Sequence, residues 1–177
     1  MIRLFAALPV PDDIGEALMR RQQGVPGARW RPLEALHVTL RFFGELREDV
    51  ADDLDAALST ITSGPFDVAL EGVGSFGEAE DIHAIWAGVA DSGGLRQLAS
   101  RCETAARKAG LKAETRAYRP HVTLAYLNRP DPVRVAAWIQ AHNLLKSPPW
   151  RVDSFGVYSS WRGPDGSVYR LEREYRL

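Results

Sequence analysis

The hydrophobic and polar residues of this chain recur with two periods, and the change between them separates predicted strands from predicted helices. Runs that are apolar, or that alternate every second residue, predict strands over residues 2–9, 36–43, 66–71, 82–89, 121–127, 151–158 and 167–176. Apolar residues spaced three and four apart predict helices after Pro11, after Gly44, over residues 93–109 and after Asp131. The pattern therefore predicts an α+β fold with largely antiparallel strands.

Three other expectations concern segments with a weaker pattern. Residues 72–80 are rich in glycine, which is typical of a loop, and a short strand is expected near residues 111–116. Alternate residues of the last strand are expected to share one face, namely Tyr169, Leu171, Arg173, Tyr175 and Leu177. No linker rich in Pro, Gly or Ser divides the chain. We therefore expect one domain over residues 1–177, made of two closely packed lobes.

One four-residue motif occurs twice: His-Val-Thr-Leu stands at residues 37–40 and again at residues 121–124. Each copy lies in a predicted strand, where successive side chains point to opposite faces. The histidine and threonine of a copy therefore share one face, and the valine and leucine share the other. A helix and two further strands are predicted after each copy. We expect two lobes related by an approximate two-fold axis, with both His-Thr pairs facing a cleft between them.

Two histidines and two threonines on one cleft suit acid–base chemistry at a phosphate. Imidazole titrates near neutral pH, so one histidine can accept a proton from water while the other donates a proton to a leaving oxygen. Threonine hydroxyls can donate hydrogen bonds to the non-bridging phosphate oxygens. A metal site is the competing interpretation, but neither His37 nor His121 has a carboxylate or thiol at ligand spacing. We expect neither a metal nor another cofactor.

Composition narrows the classes of function. The 22 Lys and Arg nearly balance the 23 Asp and Glu, for a net charge of −1, which does not fit a protein that coats nucleic acid. The single cysteine, Cys102, suits a reducing compartment. The apolar N-terminus is too short for a signal sequence, and no run approaches the roughly 20 apolar residues of a membrane span. We expect a cytoplasmic protein without a membrane contact or an obligate protein partner.

The two motifs and their flanks resemble a known family. The repeated His-Val-Thr-Leu resembles the 2H phosphoesterase superfamily. The longer strings over residues 36–45 and 118–124 are similar to those of the bacterial RNA 2′,3′-cyclic phosphodiesterases, also called 2′-5′ RNA ligases. The resemblance covers essentially the whole chain. It implies a bilobal fold with the motifs facing each other across a central cleft.

The resemblance also implies a reaction and a set of roles. The reaction is metal-independent hydrolysis of a terminal 2′,3′-cyclic phosphate on RNA to a 2′-phosphomonoester, with a reversible 2′-5′ ligase activity. By analogy His37 is the proton donor and His121 the proton acceptor, while Thr39 and Thr123 bind phosphate. The partners would be RNA ends or nucleotides that carry the cyclic phosphate.

One position departs from the family pattern. Members of the narrower group often carry an arginine two residues after the leucine of the second motif, and this chain has Tyr126 there. A phosphate contact assigned to that arginine therefore does not transfer. Arg41 and Arg119 are candidate substitutes because they lie next to the motifs, although either also fits a solvated charge at a strand end.

Aromatic and other histidine residues have competing interpretations. Trp30 and Phe43 are candidates for stacking on a nucleobase, although aromatic residues in strands are more often part of the core. We interpret His83 as a surface residue. His142 lies at a predicted helix C-terminus, where a cation is favourable.

Two alternative functions fit the same pattern. One is a 2H enzyme that acts on small cyclic phosphates of nucleotides or sugars, or on 2′-5′ oligonucleotides. The other is a nucleotide-binding module without catalysis. Intact histidines and threonines in both motifs argue against the second, and turnover of defined substrates would separate all three.

Overall fold

The computed structural model describes all 177 residues and contains four α-helices, two single-turn 3-10 helices and ten strands. The helices are α1 (Asp12–Met19), α2 (Glu48–Leu58), α3 (Gly93–Lys108) and α4 (Pro132–His142). The first five strands are β1 (Ile2–Pro9), β2 (Arg29–Trp30), β3 (His37–Leu46), β4 (Phe66–Val68) and β5 (Leu70–Phe76). The others are β6 (Ala84–Val89), β7 (His121–Tyr126), β8 (Trp150–Val152), β9 (Ser154–Gly163) and β10 (Gly166–Arg176).

The strands form two four-stranded sheets and one two-stranded ribbon. The first sheet has the order β10-β9-β1-β3, the second has the order β2-β7-β6-β5, and the ribbon joins β4 to β8. Every pair of neighbouring strands is antiparallel. The predicted α+β class with antiparallel sheets and flanking helices is confirmed. None of the four helices is both long and apolar enough to cross a membrane.

The two halves of the chain exchange strands. β5 follows β3 and α2 along the chain, yet it pairs with β6 of the second sheet. In the same way β9 follows β7 and α4, yet it pairs with β1 of the first sheet. Each sheet therefore holds strands from both halves, so the motif strands β3 and β7 lie on a framework that the whole chain builds.

A single hydrophobic core connects both sheets to the helices. Its 36 buried residues include side chains from β1, β3, β6, β7 and all four helices. The longest helix, α3, buries one apolar stripe, Leu95, Leu98, Cys102 and Ala105, each at most 3% exposed. Ser92 caps this helix by accepting a hydrogen bond from the backbone N–H of Leu95. Because the core is continuous, the sheets are held in a fixed relation by close packing.

Two of the predicted segments are wrong. Strand β5 covers most of the predicted loop at residues 72–80, because its backbone pairs with β6 despite the glycines. Gly74 is needed there, since the ring of Trp86 lies 2.5 Å from where a β-carbon would be. The expected strand near residues 111–116 is absent, and its backbone is held instead by side chains, including Glu103, which accepts a hydrogen bond from the N–H of Glu114.

The expected single face of the last strand is also wrong. Tyr169 packs against Phe5 and His37, with ring centroids 5.0 and 5.2 Å apart, whereas Tyr175 stacks on Phe155 and donates a hydrogen bond to Asp55 of α2. The register of β10 against β9 shifts between Leu171 and Arg173. A bulge of this kind inserts one residue and reverses the alternation beyond it. Tyr169 and Tyr175 therefore lie on opposite faces of the sheet.

Candidate active site

The two motif strands present their histidines and threonines as the alternation predicts. In β3 the valine and leucine of the motif are buried in the core, while His37 and Thr39 are partly exposed. The same division holds in β7, where His121 and Thr123 are partly exposed. Each strand therefore anchors its motif through an apolar pair and offers an imidazole and a hydroxyl on the opposite face.

Each motif strand carries a bulge at the same motif position. Against β1, the pairing passes from Thr39 to Arg41 and leaves Leu40 without a partner. Against β6, it passes from Thr123 to Ala125 and leaves Leu124 without a partner. Bulges bend a strand and redirect the side chains next to them. The repeated sequence thus encodes a repeated backbone distortion directly after each threonine.

The two imidazoles make the same backbone contact. Nδ1 of His37 lies 2.8 Å from the carbonyl oxygen of Ala35, and Nδ1 of His121 lies 2.7 Å from that of Arg119. A carbonyl only accepts hydrogen bonds, so each Nδ1 carries the proton and donates it. The neutral tautomer is therefore fixed, with Nε2 unprotonated and available to exchange a proton.

Several contacts bring the two motif strands together. Cα atoms of β3 and β7 approach within 8 Å. The hydroxyl of Tyr118, just before the second motif, donates a 2.8 Å hydrogen bond to the carbonyl of Thr39 in the first. The charge of His121 is also close enough to lower the pKa of His37. The two imidazoles therefore belong to one electrostatic site.

Burial affects both histidines, but unequally. The pKa of His37 is lowered to about 4: desolvation by burial is the largest cause, the contact with Ala35 opposes it, and the charges of Arg31 and His121 add smaller contributions in the lowering direction. The pKa of His121 is also lowered, mainly by burial and to a smaller extent by the charge of Arg119. Both rings are therefore predominantly neutral at neutral pH in the free protein, and His37 resists protonation more strongly.

Each histidine lies in an aromatic surrounding that the sequence patterns did not predict. His37 packs against Phe5 and Tyr169, at 5.0 and 5.2 Å between ring centroids. His121 packs against Phe76 at 4.8 Å and against Trp86 at 6.2 Å. These partners come from strands that are distant in sequence, so only the pairing of strands reveals them.

Arg31 is another residue that the sequence analysis missed. It is only 7% exposed, and its guanidinium lies 5.5 Å from the ring centroids of both Tyr126 and Tyr169. Those two tyrosines belong to different sheets, so the arginine spans the gap between them. A buried cation beside His37 has a direct electrostatic effect on the site.

The candidate arginines next to the motifs have different surroundings. Arg41 forms an ion pair with Glu103 of α3 and donates a 2.8 Å hydrogen bond to the carbonyl of Lys112, so its guanidinium is directed at α3. Arg119 is exposed, and its guanidinium lies 5.8 Å from the ring of Phe76, beside His121. Of the two, only Arg119 lies against the aromatic surroundings of a motif histidine.

The candidate aromatic residues also differ in how exposed their rings are. Phe43 is 7% exposed and belongs to the core, which leaves no ring face for a base, whereas its neighbour Phe42 is 56% exposed and packs on Phe5. Trp30 is half-buried against Trp138 of α4. Tyr126 is 37% exposed at the end of β7, beneath the Arg31 guanidinium.

The other two histidines and the cysteine do not belong to the two motifs. His83 is exposed just before β6, as expected, and its ring stacks on Phe76 with 6.4 Å between centroids. His142 ends α4 beside Trp138, but burial and the charge of Arg21 lower its pKa, which opposes the cation expected at this helix end. Burial in α3 raises the pKa of the Cys102 thiol to about 12, which removes its nucleophilic character. No group of three or more His, Cys, Asp and Glu side chains is arranged to hold a metal ion.

Comparison with known proteins agrees with the motif and the fold. An RNA 2′,3′-cyclic phosphodiesterase of Archaeoglobus fulgidus is 30% identical over 172 residues, which is 96% of this chain and 97% of the relative. The RNA 2′,3′-cyclic phosphodiesterase of Escherichia coli K12 is 30% identical over 126 residues, which is 69% of this chain and 70% of the relative.

Solved structures are similar over nearly the full length. The protein TT0787 of Thermus thermophilus superposes with a TM-score of 0.81 at 25% identity, covering 99% of this chain and 98% of that one. Escherichia coli LigT complexed with 3′-AMP gives the same TM-score and coverage at 24% identity, which is a likeness of fold. The model of the 2′-5′ RNA ligase superfamily matches residues 10–164. This match, together with the repeated motif and its paired imidazoles, shows that the chain belongs to the 2′-5′ RNA ligase superfamily.

Proposed function

We propose that this protein hydrolyses the 2′,3′-cyclic phosphate at an RNA end or on a nucleotide and leaves a 2′-phosphomonoester. The main support is the pair of imidazoles, each with Nδ1–H donated to a backbone carbonyl and Nε2 available for proton transfer. Full-length relatives that are named RNA 2′,3′-cyclic phosphodiesterases support the substrate class.

In the proposed reaction His121 removes a proton from water as the water oxygen attacks phosphorus. The bond from phosphorus to the 3′ oxygen breaks, and His37 donates a proton to that oxygen. The water hydroxyl stays on phosphorus, so the product is a 2′-phosphate with a free 3′ hydroxyl. Each proton transfer contributes roughly 10²–10⁴-fold to the rate. When the 5′ hydroxyl of a second RNA attacks phosphorus in place of water, the same proton transfers break the bond to the 3′ oxygen and form a 2′-5′ phosphodiester, which is a ligase activity; the reverse of that step regenerates the cyclic phosphate.

The role of His37 as donor requires that the bound substrate change its protonation. Its pKa of about 4 in the free protein leaves the ring neutral at pH 7. A phosphodiester carries one negative charge, and an anion next to an imidazole favours the protonated form. Binding of the phosphate therefore raises the pKa of His37 and prepares it as the acid.

Thr39 and Thr123 are proposed to donate hydrogen bonds to the non-bridging phosphate oxygens. Both share a strand face with their histidine and follow it by two residues. Negative charge on these oxygens grows during attack, and fixed donors stabilise it. Water attack needs no metal in this scheme, and we propose that the reaction uses neither a metal nor another cofactor.

The wider setting is also a proposal. We infer that residues 1–177 act as one catalytic unit, since strands from both halves build both sheets. We propose a cytoplasmic location, because a chain with a single, buried thiol suits a reducing compartment. We propose that the protein acts without an obligate protein partner.

The deciding experiment measures hydrolysis of a nucleoside 2′,3′-cyclic phosphate and of a short RNA that ends in one. The wild type, His37→Ala and His121→Ala are compared with and without EDTA, and the isomer of the product phosphate is identified by NMR. We expect the wild type to give the 2′-phosphate in EDTA and both variants to lose most activity while still folded.

Other outcomes would redirect the assignment. Turnover of the nucleotide but not of the RNA would favour a small cyclic phosphate as the substrate. Binding of a nucleotide without turnover of either substrate would favour a binding module. Loss of activity in EDTA, restored by a metal ion, would overturn the metal-free mechanism.

A further inference from the structure

Arg31 is the one charged residue among the buried residues of the protein. It is 7% exposed, and none of the eight ion pairs of the protein includes it. Buried charges in proteins are normally paired with an opposite charge, because removing them from water is costly. This cation is stabilised instead by weaker polar and aromatic contacts, which leaves its charge uncompensated within the protein.

The backbone of Arg31 is fixed against the second motif. Its N–H donates a 2.8 Å hydrogen bond to the carbonyl of Leu124, the unpaired residue of the bulge in β7. Its own carbonyl accepts a 2.9 Å hydrogen bond from the side chain of Gln22. The position of the residue is therefore determined by the same distortion that shapes the motif.

The guanidinium is aimed from this anchor toward the first sheet. It lies over the rings of Tyr126 and Tyr169, and Nη2 donates a 3.1 Å hydrogen bond to the carbonyl of Ser167 in β10. Tyr169 also packs against His37, so the arginine and the histidine contact the same ring. The guanidinium also lies within hydrogen-bond reach of the Tyr169 hydroxyl. These two contacts use two of the five N–H donors of an arginine and leave the others for a ligand.

We propose that Arg31 holds the anionic phosphate of the substrate beside His37. It would thereby take over the task of the arginine that the family often carries where this chain has Tyr126. The inference rests on the proposed function. A guanidinium provides the planar pair of donors that matches phosphate oxygens, and it keeps its charge at every pH of interest. The ring of Tyr126 occupies the missing arginine's position in the sequence and supports the substitute through a cation–π contact.

The other arginines near the motifs are less suited to this task. Arg41 is paired with Glu103, which cancels its charge. Arg119 is exposed beside His121, where solvent weakens its field. A purely structural alternative for Arg31 is to bridge the two sheets through the tyrosines, and the experiment has to separate that role from phosphate binding.

The test moves the charge from position 31 to position 126. Hydrolysis of a nucleoside 2′,3′-cyclic phosphate is measured for wild type, Arg31→Lys, Arg31→Met, Tyr126→Arg and the double variant Arg31→Met/Tyr126→Arg. We expect Arg31→Met to lower kcat/KM about 10²-fold, as for loss of one charged donor to the reacting phosphate. Arg31→Lys should retain more activity than Arg31→Met, and the double variant should recover at least tenfold relative to Arg31→Met.

Two further readouts separate phosphate binding from a structural role. Affinity for inorganic phosphate, measured by calorimetry, should fall about tenfold in Arg31→Met and return in the double variant. Because the Arg31 charge contributes to the low pKa of His37, the acid limb of the pH profile of kcat/KM should move to higher pH in Arg31→Met. Circular dichroism and thermal melting check that each variant is folded.

Several results would overturn the inference. It fails if folded Arg31→Met keeps wild-type kcat/KM and phosphate affinity. It also fails if Arg31→Met lowers both the activity and the melting temperature, and if neither Arg31→Lys nor the double variant Arg31→Met/Tyr126→Arg retains more activity. That pattern would indicate that Arg31 is a structural bridge between the sheets. An inactive wild type would refute the proposed function, while the phosphate titration would still decide whether Arg31 binds the anion.

Discussion

The two motif sites have the same backbone and different surroundings. Each places a histidine and a threonine on one strand face, bulges at the following leucine and donates Nδ1–H to the carbonyl two residues earlier. Around His37, however, the cation is the buried Arg31, whereas around His121 it is the exposed Arg119. The repeat therefore fixes the tautomer and direction of both rings, and the neighbouring strands decide how readily each ring takes a proton.

Removing each imidazole separately is expected to have the largest effect and tests whether the two motif sites act together. We expect His37→Ala and His121→Ala each to lower kcat by roughly 10²–10⁴-fold, since each removes one proton transfer. The double variant should lose much less than the product of the two losses, because the residues act as a unit. Steady-state kinetics check this, with His142→Ala on α4 as the matched control. Near wild-type activity in either single variant would show that the two sites are not partners.

The hydroxyls should matter less than the imidazoles. Thr39→Val and Thr123→Val keep the shape of the side chain and remove its donor. We expect each to lower kcat by roughly 10–10²-fold, somewhat below the usual cost of an oxyanion donor, because solvent reaches both sites. Serine at either position should restore most of the rate. Unequal losses would show that the phosphate sits closer to one motif, and no loss in either would remove the threonines from the mechanism.

The pH dependence of turnover compares the two imidazoles directly. Catalysis requires one neutral and one protonated ring, and burial lowers the pKa of both. The free enzyme therefore retains a protonated imidazole only below the ordinary pKa of about 6.5. We expect the optimum of kcat/KM to lie on the acid side of that value and the rate to fall as pH rises. A plateau extending to pH 8 would contradict the lowered pKa values.

The free energy of unfolding should depend on pH because His37 is buried. The unfolded chain takes up a proton at this residue near pH 6.5, whereas the folded protein does so only near pH 4. The free energy of unfolding should therefore be fully present above pH 6.5 and decrease as pH falls toward 4, by on the order of 1–3 kcal/mol from this residue. Urea titrations at pH 7 and pH 4.5 measure the change.

One variant isolates that contribution. His37→Ala should lose less stability than the wild type between the two pH values. An identical pH dependence in the wild type and His37→Ala would place the effect elsewhere.

The smallest expected effect concerns the link between the motif strands. Tyr118→Phe removes the hydrogen bond from the tyrosine hydroxyl to the carbonyl of Thr39. We expect a loss of about 0.5–1.5 kcal/mol in the free energy of unfolding, the usual net value of one such bond. Turnover should fall by less than in the threonine variants, since the phenyl ring keeps the packing. A loss of activity as large as that of His37→Ala would make Tyr118 part of the chemistry.

The sequence predicted what local spacing controls. The period of two in each motif placed the His-Thr pairs correctly on one strand face, and apolar spacing located all four helices. It failed where neighbouring strands decide the outcome. Glycine-rich β5 is a strand only because β6 pairs with it, and the bulge in β10 reverses a face that simple alternation had assigned.

The residues of the site show the same contrast between what local spacing predicts and what strand pairing decides. The motif histidines could be singled out because they repeat with their neighbours. Arg31, Tyr169 and Phe76 lie in three different segments and meet the histidines only after the sheets assemble. The one available signal was indirect: Tyr126 stands where the family often has arginine, which indicated that a cation was to be found elsewhere, but not that it would come from position 31.

The exchange of strands between the sheets has a consequence for any attempt to divide the protein. A cut between β5 and β6 would leave each fragment with one motif histidine, and it would separate β5 from β6 and β1 from β9. Neither fragment would contain all the strands of either four-stranded sheet, so we expect neither to fold alone. Mixing the two should restore the native assembly through complementary strand edges. The active site is thus shared by two interlocked pieces, and damage to the scaffold of one histidine is damage to the scaffold of the other.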